Sequence, residues 1–167
     1  MTYSIETKHL KLRTMRTGDL EDLTSIWGSE RVMKYSGGPS TKDQINRSIE
    51  YYQRLQSEIG YSTYTVLLKE SSRIIGVCGF NPSNKENEVE LIYHFKPNYW
   101  GKGYATEAAF ACITDLKERK PNIKKIVSSV DPNNLASAKV LFKIGMIAKG
   151  TKWFDDTQQE ELYFELE

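Results

Sequence analysis

Cysteine and proline are scarce in this chain of 167 residues, at two and five, and neither sign of charge dominates. The cysteines, Cys78 and Cys112, sit in apolar stretches without metal-ligand spacing. They read as reduced, buried small hydrophobes of a cytoplasmic protein, and no metal site is expected. Lysine and arginine number 23 against 22 acids, a net charge of +1. No global field therefore points to DNA or to an anionic membrane, although a local basic patch stays open. No apolar run approaches the roughly 20 residues that cross a bilayer. The start, "MTYSIETKHL", lacks the apolar core of a signal peptide. Repeats, low-complexity segments and long linkers are also missing, so residues 1–167 are read as a single domain with a sizeable core.

What is present alternates between strand and helix patterns. "LKLRTM" (Leu10 to Met15) reads as a first strand, and Asp19 as the cap of a short helix with Leu20, Leu23 and Trp27 on one side. "YSGGPST" is a loop that ends at Thr41, where "TKDQ" has the form of a capping box. The helix that follows carries Ile45, Ile49, Tyr52 and Leu55 on one side and ends at Gly60. "YTVLLKE", "RIIGVCGF" and "EVELIYHF" form a meander of strands with turns at residues 70–72 and 81–87. Ala105, Ala108, Ala109, Cys112 and Leu116 make a helical stripe. "KKIVSSV" is another strand, "DPNNLASAKVLFKIG" a turn and helix closed by Gly145, and "MIAKGTKWF" with "ELYFELE" a closing hairpin weakened by Gly150. The order β-α-α-β-β-β-α-β-α-β-β predicts an α+β fold, a mixed and mainly antiparallel sheet flanked by about four helices.

The chemistry centres on "PNYWGKGYATEA", residues 97–108. Gly101 and Gly103 lack Cβ atoms, so successive N–H groups can close around phosphate oxygens, and the helix start over Tyr104 to Thr106 adds free donors and a favourable dipole. A Walker A loop is excluded, because Lys102 is followed by glycine and position 97 is proline. A dinucleotide fingerprint lacks its third glycine, having Thr106 there, and stays open only as an alternative with Asp131 as the ribose acid. Pro97 breaks the preceding strand, which leaves backbone groups free for an extended ligand.

"FKPNYWGKGYATEA" resembles motif A of the GNAT superfamily of acetyl-CoA-dependent N-acetyltransferases, most closely its ribosomal-protein alanine N-acetyltransferase branch. "DPNNLASAKVLFKIGM" is similar to the family's later segment, and "ETKHLKLRTMRTGDLEDL" to the branch's first strand and helix. The resemblance covers nearly the whole chain. It implies a GNAT-type sheet and acetyl-CoA as co-substrate, with the acetyl group passed directly to a primary amine in a ternary complex. The implied contacts are Trp100, Gly101, Lys102, Gly103, Tyr104, Ala105 and Thr106 at the diphosphate. Tyr93, His94 and Phe95 would pair as a pseudo-strand with the pantetheine arm, and Asn134 and Ser137 would lie beside it. Two positions depart from the pattern: Asn98 replaces a longer Gln or Arg, and Phe142 stands where many members carry a general-acid tyrosine.

A lysine amine titrates near ~10.4 and an α-amine near ~8, so either must lose a proton before attacking a thioester. Glu90 is the candidate base. Strand alternation puts it on one face with Glu88, and the alternative is that both face water or pair with lysines. Ser137 is the candidate hydroxyl at the leaving thiol, with the bland alternative that Asn134 and Ser137 only cap the last helix. Trp27, Tyr35 and Glu88 are candidates for the amine-binding wall, with Tyr52, Trp153 and Tyr163 nearby. The expected acceptor is a protein N-terminal α-amine. A polyamine, an aminoglycoside and a non-catalytic acyl-CoA-binding module remain alternatives, in a monomer or homodimer.

Overall fold

The computed structural model describes residues 3–167; Met1 and Thr2, the start of the stretch read for a signal peptide, lie outside the described residues. Its strands are β1 (Ser4–Glu6), β2 (Leu10–Thr14), β3 (Thr63–Leu68), β4 (Ile74–Pro82), β5 (Glu88–Phe95), β6 (Lys125–Val130), β7 (Ile147–Phe154) and β8 (Gln159–Leu166). Between them lie helices α1 (Leu20–Trp27), α2 (Lys42–Ile59), α3 (Tyr104–Arg119) and α4 (Leu135–Lys143). All eight strands form one sheet in the order β1-β2-β3-β4-β5-β6-β8-β7. Neighbours run antiparallel except β5 and β6, which are joined through α3 as a parallel crossover. The α+β, mainly antiparallel architecture expected from the pattern is the one observed.

Each face of the sheet buries its own core. Cys78 and Leu91 pack with Ala108, Cys112 and Leu116 of α3 and Leu141 of α4. Val77, the neighbour of Cys78, points the other way and joins Leu23, Ile26, Ile45 and Ile49 of α1 and α2. Alternation along β4 thus divides the molecule into an α3/α4 side and an α1/α2 side. The second side is fixed by local chemistry: Thr41 Oγ1 accepts from the Gln44 N–H and Gln44 answers with its own side chain. Such a cap stabilises a helix by about 1 kcal/mol. No described helix is long and apolar enough to cross a membrane.

Three expectations need correction. β1 has only three residues, of which Ile5 alone is an apolar anchor, so no alternating pattern announced it. Asp19 stands at the start of α1, but its carboxylate caps nothing in that helix. It turns back to take both nitrogens of buried Arg13 at 2.9 Å, the Arg16 N–H at 2.9 Å and the Thr65 hydroxyl at 2.8 Å. Burial raises its pKa, but these donors outweigh that and hold it below the ordinary value. Lastly, the turn read at residues 81–87 begins later. Asn81 and Pro82 belong to β4 and pair with Glu90 and Val89, because Pro82 ends the strand where its missing N–H costs no ladder bond.

Candidate active site

β5 carries the site. It pairs with β4 from Val89 to Phe95 but with β6 only from Glu88 to Glu90. Beyond Glu90 the two strands part. The Ser128 hydroxyl donates across the start of the opening to the Leu91 carbonyl at 3.0 Å. At the far end the Trp100 indole N–H donates to the Phe95 carbonyl at 2.7 Å. Main-chain groups alternate sides along a strand, so Tyr93, midway between these two, turns its N–H and C=O into the opening. An extended ligand can pair there as a missing strand would.

The glycine loop closes one end of that opening. A single helical turn from Pro97 to Tyr99 leads into it, and Gly101 and Gly103 follow with φ of 73° and 85°. A Cβ at either would meet open space. Glycine is therefore needed for backbone conformation, which costs another residue roughly 1–2 kcal/mol, and not for room. Among the described residues, the N–H groups from Gly101 to Thr106 find no acceptor before Glu107 N–H bonds the Gly103 carbonyl at 3.0 Å. This run of free donors at the positive end of α3 can hold an anion. Lys102 is exposed beside it. Trp100 is half-exposed, lies 5.0 Å beneath the Arg31 guanidinium, and ties the loop to the end of β5.

On the α1/α2 side a cavity of about 260 Å³ opens at the start of β5, lined by Glu88, Glu90, Ser129, Lys152, Phe154 and Tyr163 among others. Burial raises the Glu90 pKa above the ordinary carboxylate value; a hydrogen bond from Asn81 opposes the rise, while the charges of Asp156 and Glu161 add to it. Tyr52 fixes that amide: its hydroxyl donates to Asn81 Oδ1 at 2.6 Å, which leaves the Asn81 N–H groups for Glu90. Glu88 is buried and accepts from the Ser83 hydroxyl at 2.5 Å. The Lys152 ammonium lies 3.8 Å over the Tyr163 ring, and burial, with the charges of Glu88, Glu165 and Glu90, pushes that phenol up to about 12. A carboxylate of raised basicity, in acidic surroundings, suits a cationic amine that must be deprotonated.

On the α3/α4 side, the Tyr93 hydroxyl lies 2.9 Å from both the Ser137 carbonyl and the Ser137 hydroxyl, joining β5 to the first turn of α4. Burial raises the Tyr93 pKa, so the phenol keeps its proton. Asn134 Oδ1 accepts from the Ser137 N–H at 3.2 Å and caps α4. Phe142 is exposed and packs edge-on to Phe164, so that position of α4 offers no hydroxyl.

Residues 9–147 match a family model described as an acetyltransferase (GNAT) domain. The chain belongs to the GNAT acetyltransferase family. Acetyl-CoA-dependent N-acetylation is the general chemistry of that family. This GNAT acetyltransferase is 31% identical to the uncharacterized N-acetyltransferase p20 of Bacillus licheniformis, over 88% of its own length and 84% of that protein's. Among solved structures it resembles a GNAT-family acetyltransferase from Bacillus anthracis, with a TM-score of 0.82, 25% identity and 98% of each chain covered. It also shares its fold with RimL, a ribosomal L7/L12 α-N-protein acetyltransferase in complex with coenzyme A, at a TM-score of 0.77 and 13% identity, covering 98% and 97% of the two chains.

In this GNAT acetyltransferase the residues singled out from sequence fall into separate groups. Trp100 to Thr106 form the loop and helix start, and Tyr93 meets Ser137 beside Asn134. Glu88 and Glu90 share the cavity. Trp27 and Tyr35, expected on the same wall as Glu88, do not line that cavity. Trp27 is 6% exposed, stacks 6.1 Å from the Tyr52 ring, and donates its indole N–H to His94. Sequence reading missed Asn81, which looked like a turn residue, and the side chain of Tyr93, noted only for its backbone. The loop that carries Ser36, "YSGGPST", was expected on the amine-binding wall, but Ser36 itself was not singled out.

Proposed function

We propose that this acetyltransferase acetylates the α-amine of a protein or peptide N-terminus. The observation that carries the reading is the opening between β5 and β6. It places unpaired main chain at Tyr93 between the donor loop on one side and the Glu90 carboxylate on the other. Acetyl-CoA supplies the thioester whose C–S bond is exchanged for a C–N bond. The N–H groups of Gly101 to Thr106, with Lys102, would hold its diphosphate. The Tyr93 N–H and C=O and the Phe95 N–H would hold its pantetheine arm as an added strand, the Phe95 carbonyl being taken by Trp100 and the His94 main chain facing β4, with Asn134 and Ser137 beside it.

Glu90 takes the amine's proton, directly or through one water, and Asn81 and Tyr52 keep its carboxylate aimed into the cavity. When Tyr93 donates its proton to Ser137 Oγ, the Ser137 hydroxyl proton is free for the departing thiolate. A thiol titrates near ~8.5, so a hydrogen bond is sufficient help and the missing tyrosine at Phe142 is tolerated. The Tyr93 N–H is the candidate donor to the acetyl oxygen as it gains charge. The protein α-amine is supported by the shared fold with RimL, an α-N-protein acetyltransferase. The acidic surroundings of Glu90 favour a second reading, a polyamine.

The test is CoA release from acetyl-CoA with peptides bearing free N-termini, spermidine, an aminoglycoside and an Nα-blocked lysine peptide. Preferred turnover of free N-terminal peptides is expected. Turnover of spermidine or the blocked peptide at higher kcat/KM overturns the reading.

A further inference from the structure

Three groups link α1, the α1–α2 loop and the C-terminal half of β5. The Trp27 indole Nε1 lies 3.2 Å from His94 Nδ1, and His94 Nε2 lies 3.1 Å from Ser36 Oγ. An indole nitrogen can only donate, so Nδ1 accepts and the ring proton sits on Nε2. Burial keeps the imidazole neutral, its pKa pushed down to about 4. The Nε2–H then donates to Ser36 Oγ, and the Ser36 hydroxyl proton is the one left without a described acceptor. Ser36 is exposed. Its loop is held in place: Ser36 N–H and Gly38 N–H both bond the Met33 carbonyl, at 3.0 and 3.1 Å, and Ser40 N–H bonds the Trp27 carbonyl at 2.7 Å. The chain of donors therefore runs one way, from the buried indole to an outward O–H.

We propose that Ser36 contacts substrate, donating to a main-chain carbonyl of an extended acceptor peptide, and that Trp27 and His94 are the positioning residues that aim it. The inference rests on the peptide reading above and sharpens it. His94 and Glu90 share one face of β5, with Ile92 between them, so they are about 13 Å apart at roughly 3.3 Å of rise per residue. An extended peptide whose α-amine reaches Glu90 and whose chain follows β5 brings a carbonyl from about its fourth residue to Ser36. A dipeptide is too short to reach, and a diamine has no oxygen to offer. An ammonium is also a donor, so the outward O–H does not favour it. The acid at one end of the face and the donor at the other thus select an amine followed by peptide carbonyls.

The experiment compares a dipeptide amide, a hexapeptide amide and putrescine as acceptors for the wild-type protein and for Ser36→Ala, Ser36→Thr and Trp27→Phe. For the wild type, KM is expected to fall about tenfold from dipeptide to hexapeptide. Ser36→Ala raises the hexapeptide KM about fivefold, toward the dipeptide value, with the loss on KM and not on kcat; Ser36→Thr restores it. Folds of this size correspond to one neutral hydrogen bond. Trp27→Phe produces the same KM defect and shifts the His94 ¹⁵N resonances away from the pure Nε2–H tautomer. A length dependence that survives Ser36→Ala overturns the inference while leaving the peptide reading intact. So does an Ser36→Ala defect of equal size with putrescine. Absence of turnover with every peptide overturns both.

Discussion

The loop side and the acceptor side of β5 are built from different materials. From Tyr93 to Thr106 the chain offers main-chain groups: the opening at β6, glycines at positive φ, and the free donors that start α3. From Glu90 to His94, on the α1/α2 side, it offers side chains held by other side chains, Tyr52 through Asn81 to Glu90 and Trp27 through His94 to Ser36. A backbone site depends on local conformation and tolerates most changes of side chain. A side-chain site depends on partners contributed by distant segments, so one substitution can disable it.

The comparison is broken most directly at Glu90. Glu90→Gln should lower kcat about 10²- to 10⁴-fold, the usual worth of a positioned base, while acetyl-CoA affinity measured by calorimetry stays at the wild-type value. With Glu90 as the proposed base, its raised pKa sets the direction of the pH profile: the carboxylate is the working form, so the acid limb of kcat/KM should lie above the ordinary value of 4.5. Asn81→Ala removes a bond that favours the charged form and moves that limb further up. An acid limb that stays in place in Asn81→Ala would show that the amide does not tune the base.

Stability divides along the same line. Asp19→Asn should cost about 3–5 kcal/mol in denaturant unfolding, because it leaves the buried Arg13 guanidinium without its counter-ion. Its pKa is held low in the folded protein, so its contribution is complete above the ordinary value of 3.8 and is lost as pH falls through the folded value. Acid titration of Asp19→Asn should accordingly lack part of the wild-type loss below that pH.

On the loop side the effects are smaller. Gly101→Ala should weaken acetyl-CoA binding by about fivefold to thirtyfold, from roughly 1–2 kcal/mol of left-handed strain, with the KM of the amine unaltered. Ser137→Ala should lower kcat only a few-fold. A large loss there, with a matching loss in Tyr93→Phe, would move the hydroxyl pair from assisting the thiolate to being essential for it.

Much of the loop side was legible in one pass along the chain. Gly101, Gly103 and the helix that follows are neighbours in sequence, and their use depends on φ angles and helix ends that are local properties. The Thr41–Gln44 capping box was readable for the same reason. Asp19 shows the limit. Its place before a helix predicted a cap, but a buried guanidinium from β2 outbid the helix N–H groups for the carboxylate. Asn81 followed the same course, since an asparagine before a proline reads as a turn until the register with β5 places it beside Glu90.

The sequence by itself determined the order of elements from β2 onward, the glycine-built donor loop before α3, and the resemblance that pointed to acetyl transfer. It also put Glu88 and Glu90 on one strand face, because a period of two is a property of the strand alone. Only the tertiary structure decided where β6 leaves β5, that Glu90 sits where its pKa is raised, and which hydroxyl the Trp27–His94 pair aims outward. Those depend on residues far apart in the chain meeting at hydrogen-bond distance, and on burial, which no local pattern specifies.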